Sequence, residues 1–353
     1  MTRMSIFLCA AVILFSSHPA SSVELCAALD GSASVTMWGD DFQLQLEGLA
    51  AAVENPLVVP HNGSVYLSVV TFGKLVRTDL ASTLIDSPER AAEVASLIRS
   101  IAEPSFDFGH GTDMTLALSA CLEQFRFVER EWIIDISTDG FHNLTDLETL
   151  MAARDDSVAK GLDVLNAIGV GAADLSALQD LAWPQPASVP PERGFVIAVD
   201  DFEAYVAAMQ YKVKSEVQLT VALDIKPGSC PNPFNRGERG VLPAAIVGSV
   251  DFDVLQIDPD TLLLNGIAPL RWSYEDSATH YLGQGGPSSC FDCVEEGPDG
   301  YTDLVMKFDA QSVASLLQEN ERGDCVLLTL TAELRPEFDR RALSGEDTLT
   351  IVK

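Results

Sequence analysis

The sequence is poor in basic residues. Against 52 aspartates and glutamates it has only 22 lysines and arginines, and its formal net charge is −30. A chain this acidic repels nucleic acid and anionic membrane surfaces, so neither is expected to be its main partner. The surplus carboxylates are compatible with a cation or a basic partner, and they do not choose between these two.

Motifs of the common hydrolases and nucleotide-binding enzymes are also missing. The chain contains no Gly-x-Ser-x-Gly nucleophile elbow, no His-Glu-x-x-His zinc motif and no phosphate-binding loop. The sequence therefore gives little support to catalysis, and we do not expect an enzyme.

Beyond the N-terminus, no apolar run is long enough to span a bilayer. The N-terminus has the organisation of an export signal, with Arg3, an apolar core over 5–15, and small residues at 20–22. This core is too short for a membrane anchor. We therefore expect residues 1–22 to be a cleaved signal peptide, and the mature protein to be periplasmic or extracellular.

Cysteines are few. Of the seven, Cys9 lies in the predicted signal, and six remain: Cys26, Cys121, Cys230, Cys290, Cys293 and Cys325. An even number in an oxidising compartment favours disulfides, and we expect pairing within each half of the chain. The spacing Cys290-x-x-Cys293 is also typical of half a zinc site, although no second closely spaced pair of Cys or His accompanies it.

Hydrophobic periodicity divides the chain into two predicted domains. In residues 23–215, apolar strands alternate with amphipathic helices, which predicts a doubly wound, mostly parallel α/β sheet with helices on both faces. In residues 216–353, short strands are separated by Pro, Gly, Asn and Asp, which predicts a smaller all-β sandwich.

Oxygen-bearing side chains lie beside three of the predicted elements in the first domain. Asp30, Ser32 and Ser34 follow the first strand at alternating positions. Thr112 stands directly before a helix, and Asp139 comes directly after a later strand. Because the carboxyl ends of parallel strands meet at one edge of a sheet, we expect all five to converge there. Oxygen ligands suit a hard cation such as Mg²⁺.

In this order the residues resemble the metal-ion-dependent adhesion site of von Willebrand factor type A domains. The resemblance rests on Asp30-x-Ser32-x-Ser34, Gly111-Thr112 and Ser137-Thr138-Asp139-Gly140. Segments 42–53 and 133–140 are similar to an uncharacterised secreted bacterial branch of that superfamily, of the domain-of-unknown-function type.

The resemblance implies a function as well as a fold. Ser32, Ser34 and Thr112 would contact Mg²⁺ (or Mn²⁺ in vitro) directly or through water, while Asp30 and Asp139 would hold its waters or bind it. A protein partner would then complete the metal's shell with an Asp or Glu carboxylate. The alternative for these residues is a scaffold that keeps the fold and holds no ion.

Two further alternatives concern function and the first disulfide. A metal-assisted hydrolase would need a general base near the ion, for which His110, His142 and Asp113 are the candidates. A structural cell-envelope protein is the third possibility. Cys26 and Cys121 either form a disulfide that braces the site or remain two buried thiols.

The second half contains a weaker metal motif. Glu295, Asp299 and Asp303 have part of the spacing of a calcium loop, with a plain Asp-Gly turn as the alternative. Three other segments, 224–229, 240–248 and 251–254, are similar to a module that recurs in secreted bacterial proteins. That similarity implies an extracellular accessory domain.

Overall fold

The computed structural model describes residues 22–37, 40–140, 142–188, 192–237, 239–279, 287, 289–338 and 340–353. The predicted signal peptide, apart from Ser22, lies outside the described residues.

The first half of the chain forms a six-stranded sheet. Its strands are β1 (Val23–Asp30), β2 (Val65–Phe72), β3 (Val76–Ile85), β4 (Glu131–Thr138), β5 (Val164–Val170) and β6 (Val196–Val199). They lie in the order β3-β2-β1-β4-β5-β6; β3 is antiparallel to β2 and all other pairs are parallel. This confirms the predicted doubly wound α/β fold.

Helices cover both faces of this sheet. In chain order they are α1 (Ala33–Thr36), α2 (Asp41–Glu54), α3 (Pro88–Arg99), α4 (Phe106–Gly109), α5 (Met114–Leu122), α6 (Leu147–Ala159), α7 (Leu175–Leu181) and α8 (Phe202–Val217). Helices α2, α3 and α8 pack on one face, and α5, α6 and α7 on the other. Every residue of β1 is therefore buried, as expected for a parallel strand covered on both faces.

The strand order reverses direction between β1 and β4. From β1 the chain proceeds outward to β2 and β3, and from β4 it proceeds the other way to β5 and β6. The connections after β1 and β4 therefore leave the sheet on opposite sides and open a crevice at the carboxyl ends of these two strands. Asp30 ends β1 and Thr138 ends β4, so both border the crevice.

The second half is built from two packed sheets and one helix. The elements are β7 (Leu219–Thr220), β8 (Leu223–Ile225), β9 (Pro233–Phe234), β10 (Val241–Ile246), β11 (Ile257–Leu264), β12 (Arg271–Glu275), β13 (Asp303–Asp309), α9 (Ala310–Leu316), β14 (Cys325–Leu334) and β15 (Ala342–Ile351). One sheet has the order β12-β13-β10-β8 and the other β11-β14-β15-β7, with β9 paired to β15. A single hydrophobic core lies between them. Across the described ranges of the whole chain, no helix is long and apolar enough to cross a membrane.

Three disulfides join the six cysteines of the described chain. They are Cys26–Cys121, Cys230–Cys293 and Cys290–Cys325. Pairing thus stays within each half, as predicted, and Cys26 and Cys121 are a disulfide rather than two buried thiols. The alternative of half a zinc site is wrong, because Cys290 and Cys293 are each bonded to a cysteine elsewhere in the chain.

We expect the unreduced protein to take up no alkyl groups from iodoacetamide after denaturation, because all six sulfurs are bonded. Intact-mass spectrometry before and after reduction checks this, and the reduced protein, which should gain six, is the control. The same spectrum gives the mature N-terminus, expected near Val23. Uptake of two or more alkyl groups without reduction would contradict the pairing.

Candidate metal site

The carboxylate of Asp30 is fixed from two directions at the end of β1. Its side chain is fully buried. Oδ1 accepts a hydrogen bond from the backbone N–H of Ser32 (2.7 Å), and Oδ2 accepts one from the Thr138 hydroxyl (2.5 Å). The first bond closes the tight turn after the strand, and the second ties β1 to β4. Asp30 therefore holds two of the three loops together.

The hydroxyls of Ser32 and Ser34 connect Asp30's loop to Asp139. Ser32 Oγ lies 3.0 Å from Ser34 Oγ, and Ser34 Oγ donates to Asp139 Oδ1 at 2.8 Å. The short helix α1 starts in this loop, where the backbone N–H groups of Val35 and Thr36 both donate to the Ser32 carbonyl. This turn brings the two serine side chains to the same side of the loop.

The third loop brings Thr112 to the same place. Thr112 is buried and precedes α5. Its backbone N–H donates to Asn143 Oδ1 (2.9 Å), and the N–H of Asn143 donates back to the Thr112 carbonyl (3.1 Å). The loop after β4 thus fixes the loop before α5, and the position of the Thr112 hydroxyl follows from that pairing.

Three side-chain oxygens of the cluster face one small space beside Gly140. This space is open because glycine has no side chain to fill it. A Cβ atom built on Gly140 would lie 3.6 Å from Thr112 Oγ1, 3.8 Å from Ser34 Oγ and 3.9 Å from Asp30 Oδ2. The three atoms come from three different loops. The structure therefore brings the predicted residues Asp30, Ser32, Ser34, Thr112 and Asp139 together around one point.

The electrostatics of this cluster favour a cation. Burial raises the pKa of Asp30 to about 6, against the hydrogen bonds from Thr138 and Ser32, and the nearby Asp139 adds to the rise. Burial also raises the pKa of Asp139, with a smaller contribution from Asp41. The charged neighbours acting on both carboxylates are themselves acids. A divalent cation at this point would supply the missing positive charge.

Comparison with protein families identifies the chain. The model of the family described as "Protein of unknown function (DUF1194)" matches residues 20–221, which contain the whole six-stranded sheet and the cluster. The chain belongs to the DUF1194 family. The match confirms the predicted membership of a domain-of-unknown-function branch. No curated protein matches the chain.

Solved structures similar to this DUF1194 chain include von Willebrand A domain proteins. The von Willebrand factor type A protein of Catenulispora acidiphila is 13% identical, with a TM-score of 0.43, over 95% of this chain and 67% of that one. BatB of Bacteroides thetaiotaomicron is 16% identical, with a TM-score of 0.42, over 55% of this chain and 98% of the BatB chain.

Proximal thread matrix protein 1 of the mussel byssus is also similar, in a structure whose adhesion motif (MIDAS) is occupied by zinc. It is 20% identical, with a TM-score of 0.44, over 56% of this chain and 46% of that one. The DUF1194 chain thus spans about half of the mussel protein's length.

Several residues that shape the site were not among the predicted ligands. Thr138 holds Asp30 through its hydroxyl, and the fully buried Gln45 donates to the Asp30 carbonyl at 2.9 Å. Gly31 packs so tightly that a Cβ would lie 2.5 Å from Pro104 and 2.7 Å from Thr71. Thr138 could have been found from its place beside Asp139, but nothing local marks Gln45, whose role depends on helix packing.

Hydrogen bonds hold the candidate general bases His142 and Asp113 in place. His142 Nδ1 accepts a hydrogen bond from the N–H of Met114, and burial lowers the pKa of this imidazole. The Asp113 carboxylate caps α5 by accepting from the N–H and hydroxyl of Thr115. His110 is exposed at the end of α4.

The structure does not bring the predicted calcium ligands Glu295, Asp299 and Asp303 together. In the described part of the chain, no group of three or more His, Cys, Asp or Glu side chains could hold a metal. Asp303 is fully buried and accepts from the N–H groups of Gly248, Ser277 and Ala278. The side chains of Glu295 and Asp299 are exposed. Asp299 accepts a hydrogen bond from the N–H of Tyr301, which is the plain Asp-Gly turn expected as the alternative. The prediction that these three residues form a calcium loop is therefore wrong.

The space beside Gly140 gives a test that leaves every ligand in place. We expect Gly140→Ala to weaken Mg²⁺ binding about 10-fold or more, because the added methyl group occupies the space that the three oxygens face. Isothermal titration calorimetry measures it. Gly297→Ala, at a position with open space around the Cβ, is the matched control. Equal Mg²⁺ affinity in both variants would show that the ion does not bind beside Gly140.

Proposed function

We propose that this protein is an exported, metal-dependent adhesion protein that recognises a carboxylate on a protein partner. The observation that carries the proposal is the convergence of three oxygens, from Asp30, Ser34 and Thr112, on the space beside Gly140. These atoms lie on three loops at the crevice where ligands bind in doubly wound folds.

The donor set supports a magnesium-type ion. Ser32, Ser34 and Thr112 would contribute neutral hydroxyls, and Asp30 and Asp139 would contribute the two negative charges that balance a dication. All of these donors are hard oxygens, which favour Mg²⁺ or Mn²⁺ over soft metals. When bound, the ion would supply a positive centre that attracts a carboxylate.

The site is placed so that a partner could reach it. Ser34 is exposed and Asp139 half-buried, whereas Asp30, Ser32 and Thr112 are buried behind them. The buried residues would hold the ion, and the exposed side would face the partner. A carboxylate that replaces a water on the ion would make partner binding depend on the metal.

Adhesion is favoured over hydrolysis by the roles of the neighbouring residues. A hydrolase would need a base free to deprotonate a water. Asp113 is occupied as a helix cap, and Nδ1 of His142 already accepts a backbone hydrogen bond. For location, three disulfides are consistent with an oxidising compartment, and this supports the proposed export.

A pull-down with the full mature protein tests the proposal. Immobilised protein is incubated with envelope and culture material in Mg²⁺ or in EDTA, and captured proteins are identified by mass spectrometry. We expect a partner that is captured in Mg²⁺, lost in EDTA and absent with Asp139→Ala. Asp86→Ala, which removes an exposed carboxylate at the opposite end of the sheet, should retain it.

Treating the envelope and culture material before incubation with a carbodiimide and glycinamide, which together convert carboxylates into amides, should abolish capture as well. Capture that is the same in Mg²⁺ and in EDTA would overturn the adhesion proposal and favour a structural envelope protein. Turnover of a small molecule that requires the metal and Asp139 would favour the hydrolase.

A further inference from the structure

The β-sandwich buries two acidic side chains and an amide close to one another. Asp224 on β8 and Asp347 on β15 are 6% and 4% exposed. Asn232, in the loop between β8 and β9, is 1% exposed. Asp224 opens segment 224–229, one of those that resemble a recurring module of secreted proteins, and the proposed function makes no use of it.

Hydrogen bonds bring these residues to one place. Asp347 Oδ2 accepts from the N–H of Ile225 at 2.6 Å and from Asn232 Nδ2 at 3.1 Å, and its Oδ1 accepts from the N–H of Thr348 at 2.6 Å. Asn232 Nδ2 also donates to the carbonyl of Thr348 at 2.9 Å. Since Ile225 directly follows Asp224, the loop, β8 and β15 meet at the Asp347 carboxylate.

Two oxygens at this junction are unpaired. Asp224 Oδ2 and Asn232 Oδ1 are both buried, and neither has a hydrogen-bond partner among the described residues. A buried carboxylate oxygen without a hydrogen-bond partner costs folding free energy, and a buried amide oxygen without a partner costs less. The amide oxygen of Asn232 is only an acceptor, and so is the Asp224 carboxylate when it is ionised. In that state each atom needs a donor or a cation as its partner.

Charge favours a cation over a neutral donor. The charged groups that act on Asp224 are Asp347 and Asp303, both acids, and burial with these neighbours raises its pKa to about 7. Asp303 and Asp347 each accept backbone N–H groups through both of their oxygens. Of the three carboxylates, only Asp224 has a buried oxygen without a partner among the described residues. Buried charges in proteins are paired or coordinate metals, and here the charged neighbours repel Asp224.

We propose that Asp224, Asn232 and Asp347 bind a calcium ion within the β-sandwich. The two carboxylates would balance its charge, and Asn232 Oδ1 would add a neutral oxygen. Calcium accepts carboxylate and amide oxygens in flexible geometries, whereas Mg²⁺ keeps several waters and demands a near-ideal octahedron. A site as buried as this one therefore fits Ca²⁺ better than Mg²⁺.

Such an ion would tie the loop after β8 to the final strand of the domain. Since β15 pairs with β14, β7 and β9, a link at Asp347 would stabilise the sandwich as a whole. The calcium would thus act on folding, independently of the magnesium-type site in the first domain.

Calcium titrations of the full mature chain carrying Asp139→Ala test the proposal, since that change disables the first site. Isothermal titration calorimetry should detect one Ca²⁺ per chain. Thermal unfolding followed by circular dichroism should show a Tm about 5 °C higher in saturating Ca²⁺ than in EGTA, with a smaller effect of Mg²⁺. Adding Asp224→Asn should remove both responses, and adding Asp299→Asn, at an exposed carboxylate, should leave both intact.

Each remaining outcome overturns the proposal. If calorimetry detects no heat of Ca²⁺ binding to the Asp139→Ala protein, the buried carboxyl groups are neutralised by protons and not by calcium. This conclusion holds whether or not the Asp224→Asn protein folds. An equal Ca²⁺ response with and without Asp224→Asn would place the calcium elsewhere. Because the parent lacks Asp139, none of these results bears on the adhesion proposal.

Discussion

Replacing Asp139 by alanine is expected to weaken Mg²⁺ binding by more than about 100-fold. Asp139 and Asp30 would supply the two negative charges at the proposed site, and removal of one leaves a single carboxylate for a dication. Thr112→Ala should weaken binding less, about 10-fold, because it removes one neutral donor and no charge. Calorimetric titration with Mg²⁺ measures both affinities.

The controls separate metal binding from folding. Asp139 and Thr112 both lie in loops at the edge of the sheet and not in a hydrophobic core cluster, so both variants should keep the circular dichroism spectrum and Tm of the wild type. Asp86→Ala, with the same loss of charge at the other end of the sheet, should bind Mg²⁺ normally. An Asp139→Ala protein that is folded and binds Mg²⁺ like the wild type would show that the site lies elsewhere.

Replacing both Cys26 and Cys121 by alanine is expected to lower the free energy of unfolding by about 4 kcal/mol. The bond closes a loop with a sequence separation of 95, so its loss gives the unfolded chain much more freedom. For a domain of this size, Tm should fall by about 10 °C. Urea unfolding of the wild type and of the double variant measures the difference.

The same disulfide should also affect the metal site. It joins β1, which ends at Asp30, to α5, which begins just after Thr112. The double variant should therefore bind Mg²⁺ more weakly than the wild type even at temperatures where it is folded. If the double variant binds Mg²⁺ with normal affinity, the disulfide contributes to stability only. If its Tm is unchanged, the disulfide does not stabilise the fold by restricting the unfolded chain.

Local signals in the sequence were sufficient for most of the first domain. The start of helix α3 is marked in the sequence by Ser87-Pro88, since Pro is favoured at the first helical position, and in the structure Ser87 caps the helix by accepting from the N–H of Arg90. Asp30 and Asp139 were predicted to converge because they follow parallel strands, and strand direction determines which ends meet, while Thr112 was placed with them by its position directly before a helix. Helix caps, hydrophobic periodicity and the ends of strands all depend on residues that are near one another in the chain.

The second domain was predicted less completely, because its strands depend on distant partners. The residues of strand β12 are exposed or half-buried, and the strand is defined by its pairing with β13, about 30 residues later. Strand β15 extends from Ala342 to Ile351 because β14 pairs along its length. An exposed strand that is ordered by its neighbour leaves no clear hydrophobic pattern of its own.

The sequence by itself determined the acidic character, the order of alternating elements and the oxygen donors beside them. Tertiary structure decided how the four cysteines of the second half pair and that Gln45 and Thr138 hold Asp30. It also decided that Asp303 faces backbone amides, while one oxygen of Asp224 has no hydrogen-bond partner in the described part of the chain. The physical reason is distance along the chain. A motif records which atoms are available nearby, whereas burial and pairing bring together residues that are separated by tens of positions, and only the fold specifies those encounters.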